Sequence, residues 1–487
     1  MKKHLKSITL LILFTIWYFI NEIYLILTSF IQNSFYNYIL LYSTIGVVIY
    51  LLSYFKTRQV QKSWVFAQVS LIFLLLYGFF KDKSAILLPI LDRHLVAIPV
   101  WISINAFLLY KIFRSKHDFA KLQRAATVCI LLFLAYAGFS IFSAPKYQLR
   151  SENVYTQPPL AKELPNLYIF VFDEMARLDI LEEFGYSSDY FRQQMEAKGV
   201  HYIPKSYSYS DLTPVCVSSV LNAYVTNTSD LQYPLTNFEK IFLWNDYKEN
   251  RLQPYLQQIG YDTKLFGIMP FKNQPGYTNY SILSKSVKTM LRQNTFMGRI
   301  NEEISWNVVK YNVPILKKAF LDAENKYNYR LYQNDSINLE AIHKVLDQPA
   351  ADKPQFILGH LLFPHYPFSR DTLGNFHYVN TLQKEVEERD NDYLMQAKYA
   401  ERVMLELTDK IKKEGKPAVA IFMGDHGYRW TSDTAIANKS FLAYYTNLSP
   451  LPATESTSAV NLMRMILNEY YGFQLPMDTT EVKLLFY

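Results

Sequence analysis

Five apolar runs in the first third of this 487-residue chain constrain its fold more than any other feature. They lie near residues 8–28, 35–55, 64–80, 95–113 and 125–144. Each run is long enough, or nearly so, to cross a bilayer as a helix, which takes about 20 apolar residues. The first run is too long, and too plainly followed by further runs, for a cleaved signal peptide. The sequence therefore predicts a membrane region of five helices.

Basic residues between these runs predict the orientation of the membrane region. Residues 1–6, 56–62 and 111–124 carry most of the lysine and arginine of the first 145 residues. The alternate loops are poor in basic residues or nearly balanced. The positive-inside rule places these three segments in the cytoplasm, so five crossings export everything after about residue 143. The net charge of +7 is partly used in these loops, and no basic tract with interleaved aromatic residues stands out. Nucleic-acid binding is therefore not expected.

The predicted domains are a membrane region at 1–145, a linker at 146–165 and an extracytoplasmic domain at 166–487. The linker is polar and bears several prolines without an apolar period. The exported part alternates apolar strand-like runs with amphipathic helices, which indicates an α/β fold. Glu22 falls inside the first apolar run, either as a functional ionisable group or as a hydrated side chain near the interface.

Acidic residues follow two apolar runs of the exported part that have the length of buried strands. Asp173 comes directly after Leu167–Phe172, and Asp425 and His426 follow Ala418–Met423 between two glycines. Open α/β sheets bind ligands at the carboxyl ends of their strands. Carboxylate and imidazole groups at one such edge predict a divalent metal site. Asp173 could instead only cap the following helix, and its neighbour Glu174 could replace it as a ligand.

Thr213 precedes Pro214 and an apolar helical run. Threonine is a good N-cap and proline suits the first helical position, so we expect the Thr213 hydroxyl to project from a helix N-terminus. Such a terminus attracts anions, phosphate and sulfate in particular. The alternative is that Thr213 serves only as the cap of its helix.

Together these motifs resemble the sulfatase-type members of the alkaline phosphatase superfamily. The resemblance covers about the last two-thirds of the chain and implies an α/β/α domain with a central, mostly parallel sheet. It extends along the helix, where Cys216, Ser219 and Leu221 stand at places at which the family often has Ser, Ser and Leu. It also implies that the domain is a metal-dependent phosphotransferase or hydrolase.

The resemblance assigns roles to named residues. It implies one divalent metal ion, and the ligands would be Asp173, Thr213, Asp425 and His426. Oxygen and nitrogen ligands favour Zn²⁺ or Mn²⁺, with Ca²⁺ and Mg²⁺ as alternatives. Metal coordination would activate Thr213 as the catalytic nucleophile.

The segment Phe356–Asp371 resembles the part of the family that carries a substrate-contacting histidine. This implies that His365 binds the substrate and protonates the leaving oxygen or holds the anion. Arg429, three residues after His426, would contact the anion too, unless it forms a surface ion pair. His360, in the middle of a predicted strand, is interpreted as structural.

The type of nucleophile indicates which branch of the superfamily the sequence resembles. Cys216 begins CVSSV, which lacks the proline and arginine of the pattern that is converted to formylglycine. A threonine nucleophile and five N-terminal spans instead resemble lipoteichoic acid synthases and phosphoethanolamine transferases. This implies transfer of phosphoethanolamine or phosphoglycerol from a phospholipid donor to an envelope glycan or lipid acceptor. The enzyme would reside in the bacterial inner membrane, with its catalytic domain in the periplasm.

Three departures leave the donor and acceptor open. The stretch LFGIMPF lacks a histidine that lipoteichoic acid synthases carry, and the exported domain has no disulfide pair of the kind usual in phosphoethanolamine transferases. Asn222 and Ala223 stand where many relatives have Thr and Gly. Two other functions stay under consideration: a hydrolase of sulfate or phosphate esters, and a non-catalytic membrane protein that binds glycans. The presence of all four metal-site residues argues against the non-catalytic protein.

Overall fold

The N-terminal helices follow the apolar runs. In this computed structural model they are α1 (Lys2–Ile23), α2 (Asn33–Thr57), α3 (Val60–Leu75), α4 (Tyr77–Leu87), α5 (His94–Arg114) and α6 (Ala120–Ser143), with a 3₁₀ turn at Pro89–Asp92. Four of these helices, α1, α2, α5 and α6, contain a stretch long and apolar enough to cross a membrane. Counted as one broken span, the bent pair α3 and α4 would bring the number of candidate spans to five. The side chain of Glu22 lies outside the described residues.

The structure describes residues 2–23, 33–143, 153–156, 164–228, 231, 235, 237–267, 269–272, 274, 277, 291–292, 294–300, 314–348, 352–378, 386–431 and 433–485. The chain divides into two units, one of Met1–Lys146 with Ile282–Lys317 and one of Tyr147–Ser281 with Lys318–Tyr487. Most of the predicted linker lies outside the described residues. Its boundaries stay a prediction.

The third predicted span differs from a single straight helix. It breaks at Leu76, and α3 and α4 meet at an angle of 66°. In a continuous helix the amide of Gly78 would donate to the carbonyl four residues earlier, but here it donates to the carbonyl of Asn294 at 2.9 Å. Asn294 precedes the short helix α12 (Phe296–Arg299), which belongs to the same unit. A partner more than 200 residues away therefore ends the helix, and the local apolar pattern could not indicate that.

The second unit is built on a six-stranded sheet in the order β2-β6-β5-β1-β4-β3. The strands are β1 (Asn166–Phe172), β2 (Val200–Tyr202), β3 (Asp262–Phe266), β4 (Gln355–Leu361), β5 (Ala418–Gly424) and β6 (Leu442–Thr446). The four strands β5, β1, β4 and β3 pair in parallel, and β6 is antiparallel to both of its neighbours. The predicted central, mostly parallel sheet is confirmed.

Helices connect and cover these strands. They are α7 (Leu178–Glu183), α8 (Asp189–Ala197), α9 (Thr213–Leu221), α10 (Asn237–Lys248), α11 (Leu252–Gln258), α13 (Pro314–Leu346), α14 (Val386–Glu414) and α15 (Ala459–Tyr471), with a 3₁₀ turn at Thr434–Ile436. Every residue of β1, β4 and β5 is buried, as expected when both faces of a parallel sheet are covered.

Helix starts differ from the sequence-based expectation by a few residues. The helix after β1 begins at Leu178 with Arg177 as its N-cap, so Asp173 is not the cap of that helix. Helix α9 has Leu212 as its N-cap, which puts Thr213 in the first helical position and Pro214 in the second. Proline is tolerated throughout the first turn because those amides have no partner within the helix, which allows this shift by one position.

Candidate functional site

The register of the sheet brings two strand ends together. Phe172, the last residue of β1, pairs with Gly424 of β5 on one side and with Leu361 of β4 on the other. Asp173 and Asp425 therefore emerge at the same carboxyl edge, next to each other. This is the edge at which parallel sheets bind ligands.

Three side-chain atoms meet at this edge. Asp173, Asp425 and His426 are buried, and each offers one ligand atom within 4.8 Å of the other two. His426 Nε2 lies 3.6 Å from Asp173 Oδ1 and 3.4 Å from Asp425 Oδ2. All three atoms are buried without a hydrogen-bond partner among the described residues. Because unpartnered buried polar atoms are rare, this convergence fits a divalent cation.

The remaining polar atoms of the three side chains are each held by a neighbour. His360 Nε2 lies 3.3 Å from Asp173 Oδ2, to which it donates, and the amide of Glu174 donates to Asp425 Oδ1 at 2.9 Å. His426 Nδ1 donates to the carbonyl of Gly427 at 2.9 Å. With the proton on Nδ1, the lone pair of His426 Nε2 faces the two carboxylates, as in metal-binding histidines.

Histidines around Asp173 favour its charged form. Burial by itself would raise the pKa of Asp173, but the nearby His365, the hydrogen bond from His360 and the neighbouring His426 hold the pKa well below its usual range. Burial would lower the pKa of His360, and the contact with Asp173 raises it instead. His360 is thus buried in a strand, as interpreted from the sequence, and also holds a candidate metal ligand.

The two glycines around Asp425 and His426 allow close backbone contacts. A Cβ atom on Gly424 would lie 2.1 Å from the carbonyl oxygen of Met175. One on Gly427 would lie 2.4 Å from the carbonyl oxygen of Ile436. The turn that carries the ligands can be packed this tightly only because both positions lack a side chain.

Glu174 is a buried carboxylate of the same edge. Its backbone has a φ of +66°, which is rare outside glycine, and its Oε2 has no hydrogen-bond partner among the described residues. Its Oε1 accepts from the amide of Arg429 at 2.9 Å. Tyr393 holds the strained turn, because its hydroxyl donates to the carbonyl of Glu174 and accepts from the amide of Ala176. No local pattern indicates Tyr393, which lies 219 residues after Glu174.

Arg429 and His365 face Glu174. Arg429 Nη2 donates to His365 Nε2 at 3.1 Å, and His365 Nε2 lies 3.9 Å from Glu174 Oε2. His365 Nδ1 donates to the carbonyl of Tyr366, so the nitrogen that accepts from Arg429 is Nε2. The Arg429 side chain is only 12% exposed. Its contacts include the buried Glu174, whose Oε1 lies 3.9 Å from Arg429 Nε.

Thr213 is buried at the start of α9, and its neighbours reach the strand edge. The carbonyl of Asp211 accepts from Arg429 Nη1 at 3.0 Å. Cys216, one turn after Thr213, lines a small cavity together with Asp425. Burial raises the pKa of the Cys216 thiol, which donates to the carbonyl of Ser210. The N-terminal turn of α9 therefore lies beside the turn that carries Asp425 and His426.

Comparison with known proteins supports a family assignment. Residues 166–456 match the sequence model of the Sulfatase family, which is more than half of the chain. No curated protein matches. Among solved structures, lipooligosaccharide phosphoethanolamine transferase A, an integral membrane protein from Neisseria meningitidis, is 14% identical with a TM-score of 0.41, covering 78% of this chain and 69% of that one.

Two further structures are similar at the same level. The periplasmic domain of phosphoethanolamine transferase EptC from Campylobacter jejuni is 13% identical with a TM-score of 0.37 and covers 64% of this chain and 92% of its own. The zinc complex of the periplasmic domain of EcEptC from Escherichia coli is 15% identical with a TM-score of 0.37 and covers 65% and 86%. These likenesses are weak, so the assignment rests on the sequence match. The chain belongs to the sulfatase family, within the alkaline phosphatase superfamily of metal-dependent enzymes.

Proposed function

We propose that this protein transfers a phospho-head-group from a membrane phospholipid to an envelope glycan or lipid, with Thr213 as nucleophile. The observation that carries the proposal is the meeting of three buried, unpartnered ligand atoms from Asp173, Asp425 and His426 beside the N-terminal turn of α9. The transferred group is phosphoethanolamine or phosphoglycerol. The proposed site lies in an exported, periplasmic domain of 166–487, joined to a membrane region of 1–145 through a linker of 146–165.

Four residues would hold the metal ion: Asp173, Asp425, His426 and the hydroxyl of Thr213. A mixed oxygen and nitrogen set suits Zn²⁺ or Mn²⁺ better than Ca²⁺ or Mg²⁺. When bound, such an ion supplies positive charge that favours the ionised hydroxyl and neutralises phosphoryl oxygens. Glu174 is the alternative to Asp173 in this set.

In the first step, Thr213 Oγ attacks the phosphorus of the donor lipid. The new bond joins Oγ to phosphorus, and the bond between phosphorus and the diacylglycerol oxygen breaks. The hydroxyl gives its proton to water before the attack, and His365 gives a proton to the departing oxygen. The products are diacylglycerol and a phosphodiester on Thr213. The amides of the first turn of α9 and the guanidinium of Arg429 stabilise the phosphoryl charge.

Proton donation and the contact with Arg429 compete at one atom. His365 Nε2 accepts from Arg429 in the free protein, so it cannot also carry the proton that it donates. A phosphoryl oxygen that takes over the Arg429 donor would release Nε2 for protonation. In the second step, an acceptor hydroxyl attacks the same phosphorus, the bond to Thr213 breaks, and His365 takes the acceptor proton back.

Mass spectrometry of the full-length protein tests this proposal. The protein is purified in detergent and incubated with a divalent metal and with phosphatidylethanolamine or phosphatidylglycerol. We expect a phosphoethanolamine or phosphoglycerol adduct on the peptide that contains Thr213. Thr213→Ala removes the adduct, whereas Thr213→Ser, which keeps a hydroxyl, retains it. Hydrolysis of simple phosphate or sulfate esters without any adduct would instead identify a hydrolase.

Metal content separates the candidate ligands. Metal bound after dialysis is compared in the wild type, Asp425→Asn, Asp173→Asn and Glu174→Gln. Loss of a residue that binds the metal directly is expected to weaken metal binding by at least about tenfold. We expect that loss for Asp425→Asn and Asp173→Asn and a smaller one for Glu174→Gln. The reverse order for the last two variants would make Glu174 the ligand in place of Asp173, and unchanged content in all of them would contradict the metal site.

A further inference from the structure

We propose that Gln396 and Asp335 are positioning residues, which hold the segment Leu362–Arg370 so that His365 faces Glu174 and Arg429. Its catalytic consequence rests on the proposed function. The geometric part does not, because it concerns only where the His365 side chain lies.

The segment Leu362–Arg370 links the end of β4 to the chain that precedes α14. It has few amides with which to stabilise itself, since Pro364 and Pro367 have no N–H group. Within it, the amide of His365 donates to Leu362 and that of Ser369 to Pro367, and side chains from other elements hold the segment against the rest of the unit. Two buried polar residues, one on α13 and one on α14, provide these contacts.

Gln396 of α14 binds the middle and the end of the segment at once. Its Nε2 donates to the carbonyl of His365 at 3.0 Å, and its Oε1 accepts from the amide of Arg370 at 3.1 Å. Gln396 is only 2% exposed, so water cannot readily replace either contact. A side-chain amide suits this pair, because it offers a donor and an acceptor on two separate atoms of one planar group.

Asp335 of α13 ties the first and last residues of the segment together. Its Oδ1 accepts from the amide of Leu362 at 2.9 Å, and its Oδ2 lies 3.3 Å from Arg370 Nη2. The Arg370 guanidinium stands 4.3 Å from the ring centre of Tyr332 and also donates to Ser336 Oγ. Both charged groups are nearly inaccessible to solvent, and the pair is satisfied by several contacts, as a buried ion pair requires.

These contacts act on the orientation of His365 itself. The imidazole is bound through Nδ1 to the carbonyl of Tyr366, so the ring follows the backbone that Gln396 holds. Nε2 then lies 3.1 Å from Arg429 and 3.9 Å from Glu174. A shift of the backbone at His365 moves Nε2 away from both groups.

The experiment compares Gln396→Glu with Thr408→Val in full-length protein in detergent. The glutamate has nearly the same shape but cannot donate to the His365 carbonyl when it is charged. Thr408 is 1% exposed on the same helix, and its hydroxyl donates to the carbonyl of Met404 within that helix, which makes it a matched control. If Gln396→Glu does not fold, as judged by its thermal unfolding, Gln396→Leu takes its place.

Three readouts are measured on each variant. Hydrogen exchange is followed in peptides covering Leu362–Arg370, and the reactivity of His365 is followed as its rate of modification by diethyl pyrocarbonate. Loss of one buried hydrogen bond is expected to speed exchange on the order of tenfold in Gln396→Glu. A shift of His365 by about 1 Å is expected to lower the turnover rate by about 100-fold, with the KM for lipid little changed. Thr408→Val should alter none of the three.

The outcomes separate the two proposals. Exchange and His365 reactivity equal to the wild type would overturn the positioning role of Gln396. Faster exchange with unchanged turnover would overturn it too, because His365 would then act without being held. If the wild type transfers no head-group, the proposed function fails. The hydrogen exchange of the segment and the modification rate of His365 still decide whether Gln396 holds the histidine.

Discussion

Single residues explain why the candidate site needs so tight a turn at the sheet edge. Gly424 and the Met175 carbonyl are both hydrogen-bonded to Phe441. The amide of Gly424 donates to the carbonyl of Phe441, and the amide of Phe441 donates to the carbonyl of Met175. Neither backbone can move away from a side chain placed between Gly424 and Met175. The lack of a side chain at Gly424 therefore decides whether Asp425 and His426 can reach Asp173.

A methyl group at position 424 tests this reasoning. Gly424→Ala places a Cβ 2.1 Å from the Met175 carbonyl, so we expect a loss of about 3 kcal/mol or more in the free energy of unfolding and reduced metal content. Gly138→Ala is the control, since its added methyl meets nothing within 4 Å. Thermal unfolding and metal analysis measure both. Equal unfolding temperatures for the two variants would contradict the close contact.

Tyr393 is expected to stabilise the turn at Glu174. Tyr393→Phe leaves the amide of Ala176 and the carbonyl of Glu174 without their buried partner, which costs about 1–3 kcal/mol in the free energy of unfolding. Tyr190→Phe, at a residue that is 71% exposed, should cost nothing measurable. Denaturant unfolding of the two variants gives the difference, and a neutral Tyr393→Phe would show that the hydroxyl is dispensable.

At the scale of elements, helix α14 combines structural and functional contacts. It carries Gln396 toward His365 and Tyr393 toward Glu174. It also buries Glu401, which accepts a hydrogen bond from Tyr186 and has an unpartnered Oε1 among the described residues. A buried carboxyl of this kind makes the stability of the unit depend on pH.

Burial raises the pKa of Glu401 to about 8, although the hydrogen bond from Tyr186 and the charges of Lys398 and Arg192 oppose it. The folded state therefore binds this proton more tightly than the unfolded state, where the pKa is 4.5. The stabilising contribution is complete below pH 4.5 and is lost as the pH rises to about 8. The loss is on the order of 5 kcal/mol at most, since one pKa unit corresponds to about 1.4 kcal/mol.

Glu401→Gln removes this titration and keeps an acceptor for Tyr186. We expect the variant and the wild type to be similar near pH 4.5 and the variant to be more stable near pH 8. Glu406→Gln, at an exposed position of the same helix, is the control. Denaturant unfolding across this range measures the difference. A gap that does not grow with pH would mean that Glu401 is charged in the folded protein.

At the scale of the whole molecule, the charge of the loops between spans predicts on which side of the membrane each loop and the 166–487 domain lie. Lys116 lies in the basic segment between α5 and α6, and Ser449 is an exposed residue after β6. The positive-inside rule keeps the first in the cytoplasm, and five crossings export the second. The bent pair α3 and α4 has to count as one crossing for this result.

Cysteine labelling tests the orientation. In a background with Cys129→Ala and Cys216→Ala, we expect Ser449→Cys to react with a membrane-impermeant maleimide in right-side-out spheroplasts. Lys116→Cys should react only after lysis, because basic loops are retained inside. The reverse pattern, with Lys116→Cys labelled in intact spheroplasts and Ser449→Cys only after lysis, would mean that the bent pair does not span the membrane. Labelling of both positions from the same side would mean that α6 does not cross it.

The parts of this protein that could be predicted from its sequence are those encoded by neighbouring residues. Apolar length indicated the membrane helices, and apolar runs such as those before Asp173 and Asp425 indicated buried strands. Because parallel strands end at one edge, residues directly after them could be expected to meet. Turns were harder, and the start of α9 differs by one position, because several cap geometries suit the same Thr-Pro pair.

What the sequence by itself determined was therefore the order of elements and the chemistry placed at their ends. Only the tertiary structure decided that the free atoms of Asp173, Asp425 and His426 converge, since that depends on register between strands about 250 residues apart. It also decided the bend between α3 and α4, the strained turn of Glu174 and the hold of Gln396 on His365. Each of these depends on contacts between separate segments of the chain, and such contacts form only when the unit that contains them is packed.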